Sequence, residues 1–277
     1  MSYKNLSVLK FYEQMPFNIY GNLTSAVNQI KKNNPLVIYP ELKKIFSQYD
    51  KISVIDFGCG GGWLVNSLAY HHKDIVEVFG VDFNPVAIDY ANKLKLKLKL
   101  KSNFLTSDLF TFNDDNKYDL IVSLGVLHHT NNCLEAIKHI CKFGKKGSYI
   151  FMGLYHKYGR KPFLDYFQKI KDKSDEFKFN EYKKFHHKDD DKKLYSWFRD
   201  QVLHPHETQH TFEELTKIFQ TEKYKILSTS INSFEKITSL DEIICNEKKL
   251  IYYAEDKIKN KEYFPVFFYN YWKENLK

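Results

Sequence analysis

A glycine-rich turn contains the first residues whose types and spacing could do chemistry. Asp56-Phe-Gly-Cys-Gly-Gly-Gly62 ends a β-branched and aromatic run at residues 53–57. Glycines in such a turn let the backbone approach a ligand and present N–H groups at the start of the next helix. A dinucleotide-binding turn would have Gly or Ala where this chain has Trp63, and Asp56 would repel a pyrophosphate. The turn therefore favours a zwitterionic ligand with an ammonium group, and a turn without a ligand is the alternative.

Two further acidic positions follow later strands in the order that a nucleoside site needs. Asp82 and Phe83 lie about 20 residues beyond the turn, where a carboxylate can accept both hydroxyls of a ribose and a phenyl ring can lie against a base. Asp108 and the backbone N–H of Leu109 match the donor and acceptor edge of adenine. Each Asp alone is as readily a helix cap. Together, and in this order, the three motifs predict binding of an unphosphorylated nucleoside.

Histidines supply candidates for proton transfer. His129 follows the predicted fourth strand, where a neutral imidazole could take a proton or shape the pocket. The segment His204-Pro-His206-Glu207-Thr-Gln-His210 has residue types that also bind zinc or iron, but it lies in a turn before a helix capped by Thr211. It lacks the i, i+4 spacing of a metal-binding helix. We therefore predict no metal site, and either a polar wall facing a substrate or structural hydrogen bonds. The catalytic candidates are His129, His206 and Glu207.

Arg160 and Arg199 stand out, because the other 40 of the 42 basic residues are lysines. Either could clamp a carboxylate or phosphate of a substrate, or pair with a local acid such as Asp165 or Asp200. An aromatic segment at residues 11–21 could fold over the site as a lid, or it could be a helix packed on the sheet. The candidate substrate-binding residues are Tyr20, Tyr155, Arg160, Arg199, His204 and His206.

The elements that must position these residues alternate between strand and helix. Continuous apolar strands separated by helices predict a parallel sheet covered on both faces, with ligands at the carboxyl ends of its strands. The predicted strands cover residues 53–57, 77–82, 103–106, 118–124, 147–154, 226–231 and 266–272. The predicted helices cover residues 63–71, 133–141, 212–220 and 240–261, with a further helix beginning at Asn84-Pro85. Residues 1–48 form an N-terminal segment, and residues 49–277 form the main domain with a helical insertion at about 156–206.

Composition limits the partners. The chain has 277 residues, a net charge of +8 and no apolar run of the length that a bilayer span needs. Its N-terminus lacks the apolar stretch of a signal peptide, and its four cysteines are far apart, so we predict a soluble cytoplasmic protein. Nucleic-acid readers rely on arginine, whereas dispersed lysines are typical of a solvated surface. We therefore predict a small-molecule partner rather than nucleic acid or membrane, and leave the oligomeric state open.

Taken together, Asp56-Phe-Gly-Cys-Gly-Gly-Gly62, Gly80-Val-Asp82, Ser107-Asp-Leu109 and Tyr118-Asp-Leu-Ile-Val-Ser-Leu-Gly-Val-Leu-His-His-Thr130 resemble the class I S-adenosylmethionine-dependent methyltransferases. The resemblance is specific over about residues 50–155. It implies a Rossmann-like α/β fold with strand order 3-2-1-4-5-7-6, strand 7 antiparallel, and S-adenosylmethionine as cofactor. It also implies methyl transfer to an oxygen or nitrogen of a small molecule. An RNA methyltransferase, or an enzyme that uses this cofactor for another reaction such as cyclisation, is the alternative.

The resemblance also implies a role for each motif residue. Asp56, Gly58 and Gly60 would border the methionine part, and Asp82 would hold the ribose hydroxyls. Phe83 would flank the adenine, and Asp108 with Leu109 would contact its edge. The carbonyls around Leu124 and Gly125 would face the ammonium and sulfonium end, with His129 where the methyl group emerges.

Overall fold

A seven-stranded sheet forms the centre of the protein. The computed structural model describes residues 3–19, 22–186, 190–264 and 267–275. The strands are β1 (Ile52–Phe57), β2 (Val76–Asp82), β3 (Ser102–Thr106), β4 (Tyr118–Leu124), β5 (Gly144–Tyr155), β6 (Tyr224–Thr229) and β7 (Phe267–Glu274). Their order across the sheet is β3-β2-β1-β4-β5-β7-β6, with β7 antiparallel to β5 and β6 and the other pairs parallel. The strand order and the antiparallel seventh strand are confirmed.

Helices cover both faces of this sheet. They are α1 (Tyr3–Gln14), α2 (Leu23–Lys32), α3 (Pro35–Ile38), α4 (Pro40–Phe46), α5 (Trp63–His71), α6 (Pro85–Leu98), α7 (Cys133–Cys141), α8 (Lys157–Gln168), α9 (Asp175–Lys183), α10 (Asp191–Val202), α11 (Phe212–Thr221) and α12 (Leu240–Lys259). In the described ranges, no helix combines the length and the apolar character that crossing a membrane requires. The cytoplasmic location stays a prediction.

Neighbouring residues of β1 point into two different cores, as the strand's alternation requires. Ile55 packs in a cluster with Ile137 of α7 and Phe219 of α11. Val54 packs in a second cluster with Leu68 of α5, on the other face. Because both faces of the sheet are covered, polar residues that follow the parallel strands lie together at the carboxyl edge of the sheet.

Capping residues set where the helices beside this edge begin. The side chain of Asn84 accepts a hydrogen bond from the N–H of Val86, and α6 starts at the next residue, Pro85. The alternating Lys and Leu tract continues this helix to Leu98, and Lys99 ends it in the left-handed conformation. The predicted cap of α11 is also present.

The sixth strand ends two residues earlier than the sequence predicts. Its last residue is Thr229, whereas the prediction extends it to Ile231. The Thr229 hydroxyl accepts a hydrogen bond from the N–H of Ile231, which turns the chain into a short 3₁₀ turn. Such a side-chain bond to the backbone competes with strand pairing.

The helices predicted between residues 156 and 206 are present as α8, α9 and α10. They share an aromatic cluster that includes Phe163, Tyr182 and Phe198. The chain then returns to the sheet, because the N–H of His210 donates to the carbonyl of Tyr155 at 3.0 Å. Residues 204–210 therefore lie at the carboxyl end of β5. The division of the chain into an N-terminal segment and a main domain stays a prediction.

Candidate active site

A cavity of about 1030 Å³ opens at the carboxyl ends of β1 to β4. Ligands of open α/β sheets bind at this edge. All ten residues that the sequence predicts to bind the cofactor line this cavity. They are Asp56, Gly58, Gly60, Asp82, Phe83, Asp108, Leu109, Leu124, Gly125 and His129. The sheet therefore brings the predicted set together, while contact of each residue with a cofactor stays a prediction.

Three glycines of the turn, Gly58, Gly60 and Gly62, have positive φ, and the first and second differ in what surrounds them. Gly58 has a φ of 78°, and a Cβ added there would lie 2.4 Å from the side chain of Val126. Gly60 has a φ of 50°, and an added Cβ would meet nothing within 4 Å, because this residue borders the cavity. Gly58 thus permits close packing, whereas Gly60 keeps the cavity open.

Two buried carboxylates, Asp56 and Asp82, dominate the electrostatics of the cavity at the ends of β1 and β2. Asp82 accepts hydrogen bonds from the N–H of Gly60 at 2.8 Å and of Asn84 at 2.9 Å, which leaves lone pairs for a ligand. Burial raises the pKa of Asp82, and burial together with the charge of Asp82 raises the pKa of Asp56 to about 8. A ligand with hydroxyl donors and a positive charge would satisfy both groups.

The opposite wall of the cavity comes from α1, α10 and β7. Tyr12 donates a hydrogen bond to Asp200 Oδ1 at 2.5 Å, across 188 positions of sequence. The hydroxyl of Tyr155 lies 3.4 Å from Asp200 Oδ2. Burial raises the pKa of Asp200. Trp197 and Tyr269 add aromatic surface to the same wall.

His129 places a free lone pair on this wall. Its Nδ1 lies 3.0 Å from the carbonyl oxygen of His206, and because a carbonyl only accepts, Nδ1 carries the hydrogen. Nε2 is then unprotonated, has no hydrogen-bond partner among the described residues, and lies 3.8 Å from Asp200 Oδ1. Burial lowers the pKa of His129 to about 4, so the imidazole is neutral at pH 7. A neutral, buried imidazole beside a ligand cavity can accept a proton.

Comparison with known proteins decides the family. A family model described as a methyltransferase domain matches residues 48–202. The chain belongs to the class I S-adenosylmethionine-dependent methyltransferases.

The curated relatives match about half of this methyltransferase. A ubiquinone biosynthesis O-methyltransferase of Rickettsia bellii is 26% identical over 145 residues, which are 51% of this chain and 59% of the relative. The Rickettsia prowazekii protein of the same name is 28% identical over 148 residues, 50% of this chain and 57% of the relative. The chain thus spans less than two thirds of the curated relatives it matches.

Solved structures share the fold at low sequence identity. The plantazolicin methyltransferase BpumL, in complex with SAH and a desmethylPZN analogue, has a TM-score of 0.53 and 17% identity, covering 92% of this chain and 90% of that one. PKMT2 from Rickettsia typhi has a TM-score of 0.62 and 17% identity, covering 86% of this chain and 53% of that one.

The family's cofactor, S-adenosylmethionine, fits the residues of the cavity. Gly60 leaves room at the turn, and Asp82 keeps lone pairs for hydroxyls. Asp56 offers a buried carboxylate for a cationic group. The two carboxylates and the open glycine therefore match the ribose and the charged end of S-adenosylmethionine.

Behind His129 and Asp200 lies a layer of side chains that hold them. Nε2 of His206 donates to the carbonyl of Thr130 at 2.8 Å, which fixes the segment whose carbonyl binds His129. The ring of His204 lies 3.8 Å from that of His129, and burial lowers the pKa of His204 to about 3. Neither His204 nor His206 is among the described residues that line the cavity.

The arginines have protein partners. Arg160 is 1% exposed and forms a two-point ion pair with Glu207, at 2.9 and 2.7 Å. Its partner is therefore Glu207 and not Asp165, which binds Lys161. The guanidinium also lies 4.1 Å from the centre of the Tyr155 ring. Tyr155, Arg160 and Glu207 lie behind the described cavity wall, so substrate contact and catalysis by them stay predictions.

Arg199 and Tyr20 complete the predicted substrate set. Arg199 donates to the carbonyl of Phe11 at 3.1 Å and stacks on that ring at 4.4 Å, so it joins α10 to α1. Tyr20 lies outside the described residues, and the lid role of residues 11–21 stays a prediction. In the described ranges, no group of three or more His, Cys, Asp or Glu side chains is placed to hold a metal ion.

Sequence reasoning missed Tyr12 and the cavity-facing role of Asp200. The signal for Asp200 is its position on α10, because an acid on the helix face that also carries the buried residues Ser196 and Gln201 needs a polar partner. No local pattern marks Tyr12, whose partner is distant in sequence.

Proposed function

We propose that this protein transfers the methyl group of S-adenosylmethionine to an oxygen or nitrogen of a small-molecule acceptor. The observation that supports it is that one cavity is bordered both by the cofactor motifs and by the His129–Asp200 wall. Its volume is at the upper end of the roughly 300–1,000 Å³ typical of single-ligand pockets, so it has room for two molecules.

Each side of the cavity has a task in this reaction. The cofactor supplies an electrophilic methyl group on a sulfonium. Asp82 and the Gly60 turn fix its orientation, and the aromatic wall excludes water from the reacting atoms. Nε2 of His129 takes the proton that the acceptor loses. His206 keeps His129 in the required tautomer through its carbonyl.

The relatives support a small-molecule acceptor. The curated ones are named as ubiquinone biosynthesis O-methyltransferases, and BpumL was solved with a desmethylPZN analogue.

Calorimetry tests the cofactor half. The protein should bind S-adenosylmethionine and its demethylated product, and Asp82→Ala should weaken binding at least about 100-fold, since it removes a buried acceptor of ligand hydroxyls. Asp74→Ala, which removes an exposed carboxylate just before β2, is the matched control and should bind like wild type. No binding by the wild type contradicts the proposal.

Labelled cofactor tests the transfer half. The protein is incubated with methyl-labelled S-adenosylmethionine and either a metabolite extract or RNA. Label in small molecules is expected. Label in RNA alone refutes the small-molecule acceptor, and cofactor consumption without any methylated product favours a cyclase.

A further inference from the structure

Two hydrogen-bond acceptors lie close together on the wall of the cavity. They are Nε2 of His129 and Oδ1 of Asp200, 3.8 Å apart. With the hydrogen of His129 on Nδ1 and with Asp200 ionised, neither atom donates to the other across this gap. The distance is also longer than a hydrogen bond.

The protein groups around this pair do not fill the gap. Tyr12 donates to Asp200 Oδ1 and uses one of its lone pairs, and Tyr155 is at 3.4 Å from the other oxygen. The nearest guanidinium, that of Arg160, is engaged by Glu207 and by the carbonyl of Gln201 at 2.6 Å. His204 stacks on His129, and its Nε2 has no hydrogen-bond partner among the described residues. Nε2 of His129 and a second lone pair of Asp200 Oδ1 are therefore open to a ligand.

Leaving the buried Nε2 of His129 without a donor is costly, at about 1–3 kcal/mol. Asp200 Oδ1 already accepts a hydrogen bond from Tyr12 and has a further lone pair for a ligand donor. A ligand group that brings two hydrogens can bind both atoms at once, whereas a single hydroxyl can bind only one of them, because one hydrogen cannot satisfy two acceptors.

We propose that the methyl acceptor of this enzyme presents two donor hydrogens at its reacting end, one to His129 Nε2 and one to Asp200 Oδ1. This inference rests on the proposed methyl transfer. A primary amino group on a ring and a pair of neighbouring hydroxyls share this chemistry. An isolated hydroxyl or a methyl ether does not.

The distance between the two acceptor atoms and the aromatic lining of the cavity suit a ligand with such a pair of donors. A nitrogen at an ordinary hydrogen-bond distance of about 2.9 Å from each acceptor spans a gap of 3.8 Å, and so do two adjacent hydroxyls that each bind one acceptor. Trp197, Phe267 and Tyr269 line the same cavity and add aromatic surface that can pack against a flat ligand.

The reaction balances with these groups. The acceptor's nitrogen or oxygen forms a bond to the methyl carbon, and the carbon–sulfur bond breaks with its electron pair going to sulfur. The proton that the acceptor loses passes from its nitrogen or oxygen to Nε2 of His129. Asp200 stays ionised and accepts a hydrogen bond from the second hydrogen, which remains on the acceptor, while Tyr12 positions Asp200.

Matched ligands test the inference without any variant. Affinities of the wild-type protein saturated with SAH are measured by calorimetry for catechol, aniline, phenol and 2-methoxyphenol. Catechol or aniline should bind at least about tenfold more tightly than phenol and 2-methoxyphenol, since a site built for a donor rejects analogues that lack it. A preference for catechol alone assigns paired hydroxyls, and one for aniline alone assigns an amine. Equal affinities, including no binding by any of the four, overturn the inference.

A variant assigns the preference to the site. Asp200→Asn keeps the shape and removes the charge, and should reduce the preference for the two-donor ligand about tenfold. Asp191→Asn, an exposed carboxylate on the same helix, is the control and should keep it. An unchanged preference in Asp200→Asn contradicts the assignment.

Cofactor binding separates the two proposals. If the protein binds S-adenosylmethionine and methylates small molecules but shows no two-donor preference, only this inference fails. If it binds no S-adenosylmethionine, the proposed function fails first.

Discussion

The two walls of the cavity are built by different means. The wall at the ends of β1 and β2, which the proposal gives to the cofactor, has contacts that are local and involve the backbone, as in the bonds from the Gly60 and Asn84 N–H groups to Asp82. The opposite wall, which the proposal gives to the methyl acceptor, contains Tyr12, His129 and Asp200. These residues come from α1, from a turn after β4 and from α10. The first wall is fixed by the register of the sheet, whereas the second depends on how helices pack. Substitutions on the second wall can therefore change its shape without disturbing the first.

The walls also differ in their ionisable groups. The wall of Asp56 and Asp82 buries acids with raised pKa values, whereas the wall of His129 buries imidazoles with lowered pKa values beside Asp200, whose pKa is raised. Asp56, with a folded pKa of about 8, destabilises the fold as pH rises from about 4 to 8. His129, with a folded pKa of about 4, destabilises it as pH falls from about 6.5 to 4. The low-pH limit on stability thus comes from the wall of His129, whereas buried acids on both walls contribute to the high-pH limit.

The largest effect is expected from the glycine turn. Gly58→Ala should destabilise the protein by roughly 2–5 kcal/mol, because it adds both left-handed strain and a clash with Val126. Gly60→Ala meets no atom and should cost about 1 kcal/mol of stability while weakening cofactor binding, since its methyl group enters the cavity. Urea unfolding and calorimetry measure both. Equal stabilities of the two variants would show that the turn is not fixed by packing.

The next effect separates the walls functionally. His129→Gln should lower kcat about 100-fold, because the proton acceptor is lost, and should leave cofactor affinity within about threefold. Initial rates on a methylated metabolite and calorimetry with SAH give the two numbers. A large loss of cofactor affinity would instead assign His129 to the cofactor wall, as the sequence resemblance also allowed.

The third prediction concerns pH. Burial beside Asp82 raises the pKa of Asp56 to about 8, so the free protein binds a proton there at pH 6, and a cationic cofactor displaces it. Affinity should rise by up to about tenfold per pH unit between 6 and 8 and then level off. Calorimetry of the wild type and of Asp56→Asn checks this. The variant should show a flat profile, and a flat wild-type profile would remove Asp56 from the cationic end.

How far the sequence predicts each wall follows from the same difference. Asp82 and Asp108 are recognisable because a few residues after a strand specify both the turn and the carboxylate. Tyr12 and Asp200 meet only after α1 and α10 pack, so no short motif contains the pair. Arg160 shows the limit from the other side: its scarcity favours either a substrate clamp or an ion pair with a local acid, and its burial with Glu207 is visible only in the tertiary structure.

The smallest effect is expected from Arg199. Arg199→Ala removes the stacking on Phe11 and the bond to its carbonyl, which should cost about 1 kcal/mol and lower Tm by roughly 2–4 °C. KM for the acceptor should change less than about twofold. Thermal unfolding and steady-state rates report the two quantities, and a KM increase of tenfold or more with unchanged Tm would return Arg199 to the substrate site.

A crystal structure with SAH bound tests the central claim most directly, because that claim joins both walls in one cavity. We expect the ribose hydroxyls on Asp82 and the sulfur on the side of the cavity lined by His129 and Asp200. A ligand whose ribose lies away from Asp82, or whose sulfur faces away from His129, would contradict the account.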